Sequence, residues 1–168
     1  DSTISTQHHS NLQQPLVAKL RTCMKERSTY EVKIQGGYSI RSMATDIAKA
    51  LTTGNHIFDT IVCVYQMSER AWVDDINQKV YVMTTNEDKW IADIELFCKF
   101  SRAAAKRVLV VTADVSCFPI FKEKASAYQS NLKTLRSVLE KYNVLWNCGE
   151  ELSTLHTYDG FHFSDDCC

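Results

Sequence analysis

The feature that most constrains the fold is the alternation of short apolar runs with longer amphipathic segments. The runs at 59–66 and 107–113 are continuous and rich in β-branched residues, which is typical of strands buried on both faces of a parallel sheet. The segments between them carry apolar residues at helical spacing. This order predicts an α/β fold, a three-layer sandwich in which a parallel sheet has helices on both faces.

The individual elements follow from the same periodicities and from their flanking residues. Helices are predicted at 13–26, 40–51, 69–77, 87–104 and 122–142. Strands are predicted at 30–35, 59–66, 107–113 and 143–147, with a small extra strand or an extended insertion at 79–84. Ser39 is expected to be the N-cap of the second helix, which Gly54 and Asn55 end.

Composition excludes several classes of protein and of partner. The 168 residues are 45% hydrophobic and 23% charged, which fits one globular domain over 1–168. Nineteen Lys and Arg residues against 20 Asp and Glu residues give a net charge of -1, so binding of nucleic acid is not expected. No apolar run approaches the roughly 18 residues of a membrane helix, so no transmembrane segment is predicted.

The seven cysteines include no Cys-x-x-Cys pair, which argues against a zinc site and against a thioredoxin-type site. Cys63 stands inside an apolar run and Cys98 follows Leu96 and Phe97, so both are predicted to be buried thiols. The adjacent pair Cys167 and Cys168 could bond with another segment or another chain.

Functional groups of an open parallel sheet gather outside the carboxyl ends of its strands. Gly36 and Gly37 follow the strand at 30–35, and Met67-Ser68-Glu69-Arg70 follows the strand at 59–66. The loop after 143–147 leads to Asp159-Gly160-Phe161-His162. An Asp three residues before a His on a tight loop can accept a hydrogen bond from Nδ1–H and leave Nε2 free as a general base.

Three segments together resemble the conserved blocks of one enzyme family. Asp1-Ser2 matches the end of a Gly-Asp-Ser nucleophile turn, Gly37 matches an oxyanion-hole glycine, and Asp159-Gly160-Phe161-His162 matches an Asp-x-x-His block in full. In these blocks and in their order the chain resembles the SGNH, or GDSL-like, hydrolases. The resemblance implies the flavodoxin-like SGNH-hydrolase fold over residues 1–164.

The resemblance also implies a function and a set of roles. The protein would be an esterase or deacetylase that acts on a small acyl ester, with Ser2 as nucleophile, His162 as general base and Asp159 orienting the histidine. Backbone N–H groups of Ser2 and Gly37 would bind the oxyanion, and Ser68 would be a third donor. The mechanism requires no metal and no organic cofactor.

The sequence departs from the family in two places. Ser68 stands where the family has an Asn, and a hydroxyl is a less preorganised donor than a fixed amide. The strand that would lead into Ser2 is missing, so the single domain is expected to be trimmed at both ends, and a four-stranded parallel sheet is predicted.

These departures leave a second function open. A catalytically impaired SGNH-like protein could serve as a structural or binding subunit of a larger assembly, with another protein as its partner. A third hypothesis, a flavodoxin-like regulatory module, accounts for the alternation of elements but not for Asp159 and His162.

Overall fold

A computed structural model describes residues 39–53, 58–65, 67–70, 72–74, 81–83, 86–113 and 125–149. Its helices are α1 (Ile40–Thr52), α2 (Glu87–Ala104) and α3 (Ala125–Lys141), with a 3-10 turn at Ser68–Arg70. Its strands are β1 (Phe58–Val64), β2 (Trp72–Asp74), β3 (Tyr81–Met83), β4 (Ala105–Ala113) and β5 (Leu145–Gly149).

Three of the strands form a parallel sheet in the order β1-β4-β5, which confirms the predicted α/β class. In the central strand β4, Val110 lies opposite Cys63 of β1 and opposite Trp146 of β5. The fourth strand of the predicted sheet, at 30–35, and the predicted helix at 13–26 lie outside the described residues. The finer prediction of an SGNH fold stays a prediction.

The core lies between one face of this sheet and the three helices. Cys63, Val108 and Val110 are buried on the inner face, and Trp90 and Phe97 of α2 pack into the same cluster without exposure. The helices contribute six more fully buried residues to this cluster: Ile40, Ala44, Ile94, Cys98, Leu135 and Leu139. This inner face is where burial of apolar surface stabilises the fold.

Side-chain caps set where the first two helices begin. The Ser39 hydroxyl accepts a hydrogen bond from the N–H of Ser42 at 3.1 Å, as the sequence predicts. Asn86 does the same for Lys89 at 2.9 Å and thereby begins α2. Each cap satisfies one of the four N-terminal N–H groups that have no partner within the helix.

The helix predicted at 69–77 is wrong. The chain makes only the 3-10 turn Ser68–Arg70 and then enters β2, which pairs antiparallel with β3. Trp72 lies opposite Met83 in this pair. The small extra strand predicted within 79–84 is therefore confirmed, as β3. The residues after Ser68 include no helix breaker, but pairing with residues seven to eleven positions further along the chain decides their conformation.

The strand predicted at 143–147 begins two residues later, at Leu145. Asn143 has a positive φ of 53°, and its N–H donates to the carbonyl of Glu140 at 3.0 Å. The N–H of Val144 donates to the carbonyl of Leu139, also at 3.0 Å. These two bonds form a Schellman motif, so the two residues end α3 and do not begin the strand.

Cys63 and Cys98 are free and buried, which confirms the prediction of buried thiols. Burial raises the pKa of each thiol to about 12. Both are therefore protonated and unreactive at neutral pH.

Among the helices that the structure describes, none combines the length and the apolar character needed to cross a membrane.

Candidate functional site

The carboxyl end of β1 carries a turn that brings polar side chains against three helices. Tyr65 is fully buried directly after the strand, and its N–H donates to the carbonyl of Val111 at 2.8 Å. Met67 is also fully buried and has a positive φ of 53°, a conformation that is unfavourable for a residue with a side chain. The N–H of Arg70 donates back to the carbonyl of Met67 at 2.8 Å and closes the turn.

Glu69 joins this turn to the first residue of α1. The N–H of Ile40 donates to Oε1 of Glu69 at 2.9 Å, across 29 positions of sequence. This N–H is one of the four that an α-helix cannot satisfy internally, and a negative charge is stabilised at this end of the helix dipole. The contact therefore holds the end of β1 against the start of α1.

The buried hydroxyl of Tyr65 extends the contact to α2. Nε1 of Trp90 donates to this hydroxyl at 2.8 Å, and the hydroxyl is hydrogen-bonded to Glu69. Burial raises the pKa of Tyr65 well above its usual value, and the charge of Glu69 raises it further. Tyr65 is therefore neutral at neutral pH and can donate to the Glu69 carboxylate.

Arg70 connects the same turn to α3. Arg70 is 5% exposed, and its guanidinium donates to Oδ1 of Asn131, with Nη2 at 3.1 Å and Nε at 3.4 Å. The side-chain amide of Asn131 in turn reaches the carbonyl of Arg70 at 3.5 Å. The guanidinium carbon also lies 5.4 Å from the centre of the Trp90 ring, at cation–π distance.

A second polar contact ties α1 to α2. Nη1 of Arg41 lies 2.9 Å from Oδ1 of Asp93, and the side chain of Asp93 is only 10% exposed. Arg41 is the second residue of α1, one position after the amide that Glu69 accepts. Two carboxylates from different elements therefore fix the first turn of this helix.

Only one of the five predicted site residues lies in the described part of the chain. Ser68 is the first residue of the 3-10 turn, directly before Glu69. The predicted nucleophile Ser2, the oxyanion glycine Gly37 and the pair Asp159 and His162 lie outside the described residues. Whether the five residues meet therefore stays a prediction.

Sequence reasoning gave no role to Glu69, Arg70 or Asn131. The first two follow directly after a predicted strand, which is the signal that marks the functional edge of a parallel sheet. Asn131 had no such signal, because it lies mid-helix and 61 positions from its partner. Only the structure identifies Asn131, which is 4% exposed and accepts hydrogen bonds from the guanidinium of Arg70.

The cluster of Tyr65, Glu69, Arg70, Trp90 and Asn131 suits positioning better than chemistry. Four of the five side chains are buried and Glu69 is half-buried. Their polar atoms are hydrogen-bonded within the cluster or to the N–H of Ile40, so they fix backbone segments at the edge of the sheet. Among the residues that the structure describes, no group of three or more His, Cys, Asp or Glu side chains could hold a metal ion.

Comparisons of the chain with protein-family models, with curated proteins and with solved structures find no match.

Proposed function

We propose that the protein is an SGNH-like serine hydrolase, an esterase or deacetylase that acts on a small acyl ester. Ser2 is the nucleophile, His162 the general base and Asp159 the residue that orients the histidine. The backbone N–H groups of Ser2 and Gly37, with the hydroxyl of Ser68, bind the oxyanion. The proposal starts from the order of these residues along the chain and from the specific block Asp159-Gly160-Phe161-His162.

One observation in the structure carries the proposal further. The bond between Glu69 and the N–H of Ile40 joins the turn that contains Ser68 to the helix that starts three residues after Gly37. The turn that contains Ser68 thus lies against the first residue of α1, at the carboxyl edge of a parallel sheet. This edge is where such folds bind their ligands.

The proposed reaction has two halves. Ser2 Oγ bonds to the ester carbonyl carbon while its proton passes to Nε2 of His162, and the alcohol then leaves with that proton. Water next attacks the acyl carbon and gives one proton to His162. The acid departs as this proton returns to Ser2 Oγ, which restores the enzyme.

Ser68 favours a second function, a catalytically impaired protein that binds a partner. Loss of one good oxyanion donor typically lowers kcat by about a hundredfold to a thousandfold. The alternative predicts that Ser2 has no nucleophilic reactivity, whereas the hydrolase predicts slow but measurable reaction. The two functions are therefore separated by one labelling experiment.

The test is reaction of the purified protein with a fluorophosphonate probe, followed by mass spectrometry of the labelled peptide. We expect covalent label on Ser2, no label in Ser2→Ala, and labelling slowed by at least about a thousandfold in His162→Ala. Ser68→Asn should speed the labelling, because it restores an amide donor.

The controls use neighbours of the same residue type. Ser5→Ala and His156→Ala remove a serine and a histidine that lie a few positions away in the sequence. Both variants should leave the labelling rate unchanged. Absence of label on Ser2, or a rate that His162→Ala does not change, overturns the hydrolase and leaves the binding subunit.

A further inference from the structure

We propose that the protein binds one internal water molecule between β4 and β5, held by the hydroxyl of Thr112 and the indole N–H of Trp146. The two residues lie on the inner face of the described sheet, and neither has a role in the proposed hydrolase. The inference therefore stands or falls independently of that function.

The first argument is that both polar atoms are buried and are not bonded to protein. Oγ1 of Thr112 and Nε1 of Trp146 have no hydrogen-bond partner among the residues that the structure describes. By contrast, Ser101 donates to a backbone carbonyl at 3.2 Å, and Nε1 of Trp90 donates to a tyrosine hydroxyl at 2.8 Å. About 90% or more of buried polar groups in native proteins are bonded to protein or to ordered water, so the two atoms indicate a bound molecule.

The second argument is that the pairing of β4 with β5 brings the two side chains together. Val110 lies opposite Trp146, and Thr112 lies opposite Cys148. Alternate residues of a strand share one face, so Thr112 and Trp146 are diagonal neighbours on the inner face, where Val110 is fully buried. The Cα atoms of such neighbours lie about 7–8 Å apart, which is within reach of an aromatic side chain. A single water molecule can then hydrogen-bond to both groups at about 2.7–3.2 Å.

The third argument is that the chemistry of the two groups selects water over an ion. An indole N–H only donates, so the bound molecule must accept from Trp146, whereas the hydroxyl of Thr112 can donate or accept. A buried anion needs a facing positive charge. Arg136, whose guanidinium lies 5.2 Å from the centre of the Trp146 ring, is held in an exposed ion pair with Glu140 at 2.7 Å. Buried waters make about two to four hydrogen bonds, so a neutral water fits this pair of groups.

The first test is a high-resolution crystal structure of the whole protein. We expect density for a water within about 2.7–3.2 Å of both Oγ1 of Thr112 and Nε1 of Trp146. The water should persist in Thr112→Ser, which keeps the hydroxyl, and be lost in Thr112→Val, which replaces the hydroxyl with a methyl group. Absence of this density from the unaltered protein overturns the proposal.

The second test uses the sign of a stability change. Loss of a hydroxyl that is hydrogen-bonded to a buried partner is destabilising, whereas loss of an unsatisfied buried hydroxyl is stabilising. We therefore expect Thr112→Val to lower the ratio of folded to unfolded protein about 5- to 30-fold, from urea denaturation extrapolated to zero denaturant. Thr60→Val, at an exposed position of β1, is the matched control and should change the ratio by less than about threefold. A ratio that Thr112→Val raises or leaves unchanged contradicts the bound water.

Discussion

At the scale of single residues, the buried hydroxyl of Tyr65 is hydrogen-bonded to two neighbouring side chains. It accepts from Nε1 of Trp90 and is hydrogen-bonded to Glu69, and it has no contact with solvent. A buried hydrogen bond contributes only about 1 kcal/mol net, but a buried donor left without an acceptor costs about 1–3 kcal/mol. Removal of this one oxygen therefore affects two neighbours.

Tyr65→Phe should lower the free energy of unfolding by about 1–3 kcal/mol, because it leaves the Trp90 N–H without its acceptor. The measurement is urea denaturation followed by circular dichroism, with the slope of the transition compared between proteins. Tyr142→Phe is the control, since its half-buried hydroxyl bonds to Glu95 within reach of water. A loss as small as that of the control would contradict the role given to Tyr65.

Sequence reasoning succeeds at this scale where a single side chain decides the outcome. Ser39 is predicted and found as the cap of α1, and Cys63 and Cys98 are predicted and found as buried thiols. It fails for Arg70 and Asn131, because a pair that meets across 61 positions leaves no local pattern. Their partnership depends on how α3 packs, and periodicity says nothing about that.

At the scale of elements, the end of α3 shows how two residues direct the chain from helix to strand. Asn143 takes the left-handed conformation at the position where glycine is commonest, and Val144 and Leu139 are both buried beside it. Asparagine tolerates this conformation better than other residues with a Cβ, whereas a β-branched residue is strongly disfavoured there.

Replacement of Asn143 should separate the requirement for a positive φ from the requirement for a side chain. We expect Asn143→Gly to keep the free energy of unfolding within about 0.5 kcal/mol of the original or to raise it, and Asn143→Val to lower it by about 1–2 kcal/mol. Thermal unfolding by calorimetry measures both. Asn147, exposed in β5, gives the control Asn147→Val, which should change little. Equal effects of Val at both positions would refute the argument.

Prediction of elements from the sequence works where the pattern is long. The periodicity of α2 gives its bounds, Glu87–Ala104, because seven of its residues are buried on one side over five turns. It fails at 69–77, where Trp72, Val73 and Asp74 become a strand only by pairing with Tyr81–Met83. A three-residue strand has too few positions for its period to be read, and its partner decides its conformation.

At the scale of the whole molecule, the two faces of the described sheet differ in burial. Leu145 and Val62 are 60% and 53% exposed, and both lie beside Leu109 on the face opposite the core. Leu135 of α3 has no exposure and packs in the cluster on the other face. The same substitution on the two sides therefore measures how stability is distributed through the fold.

Leu135→Ala should lower the free energy of unfolding by about 2–5 kcal/mol, because it leaves a cavity in a packed core. Leu145→Ala removes the same atoms from a half-exposed position and should cost less than about 1 kcal/mol. Urea denaturation of both variants provides the comparison. Equal losses would show that the outer face is packed as closely as the inner one, which contradicts the exposure of Leu145.

The α/β class and the parallel pairing follow from the sequence, because continuous apolar runs separated by helices have few other solutions. The candidate site follows only in part. Its sheet edge and Ser68 are indicated by position after a strand, while Ser2, Gly37, Asp159 and His162 rest on resemblance to a family. The hydrogen bond from the N–H of Ile40 to Glu69 could not be predicted, because it depends on the distance between two elements and not on either alone.

The order β1-β4-β5 has a consequence for the way the protein is made. Each strand of the described sheet pairs with the one synthesised before it, so β1 is already a template when β4 leaves the ribosome, and β4 is ready when β5 follows. We therefore expect growth of this sheet in one direction, with changes in β4 slowing folding and changes in β5 chiefly hastening unfolding.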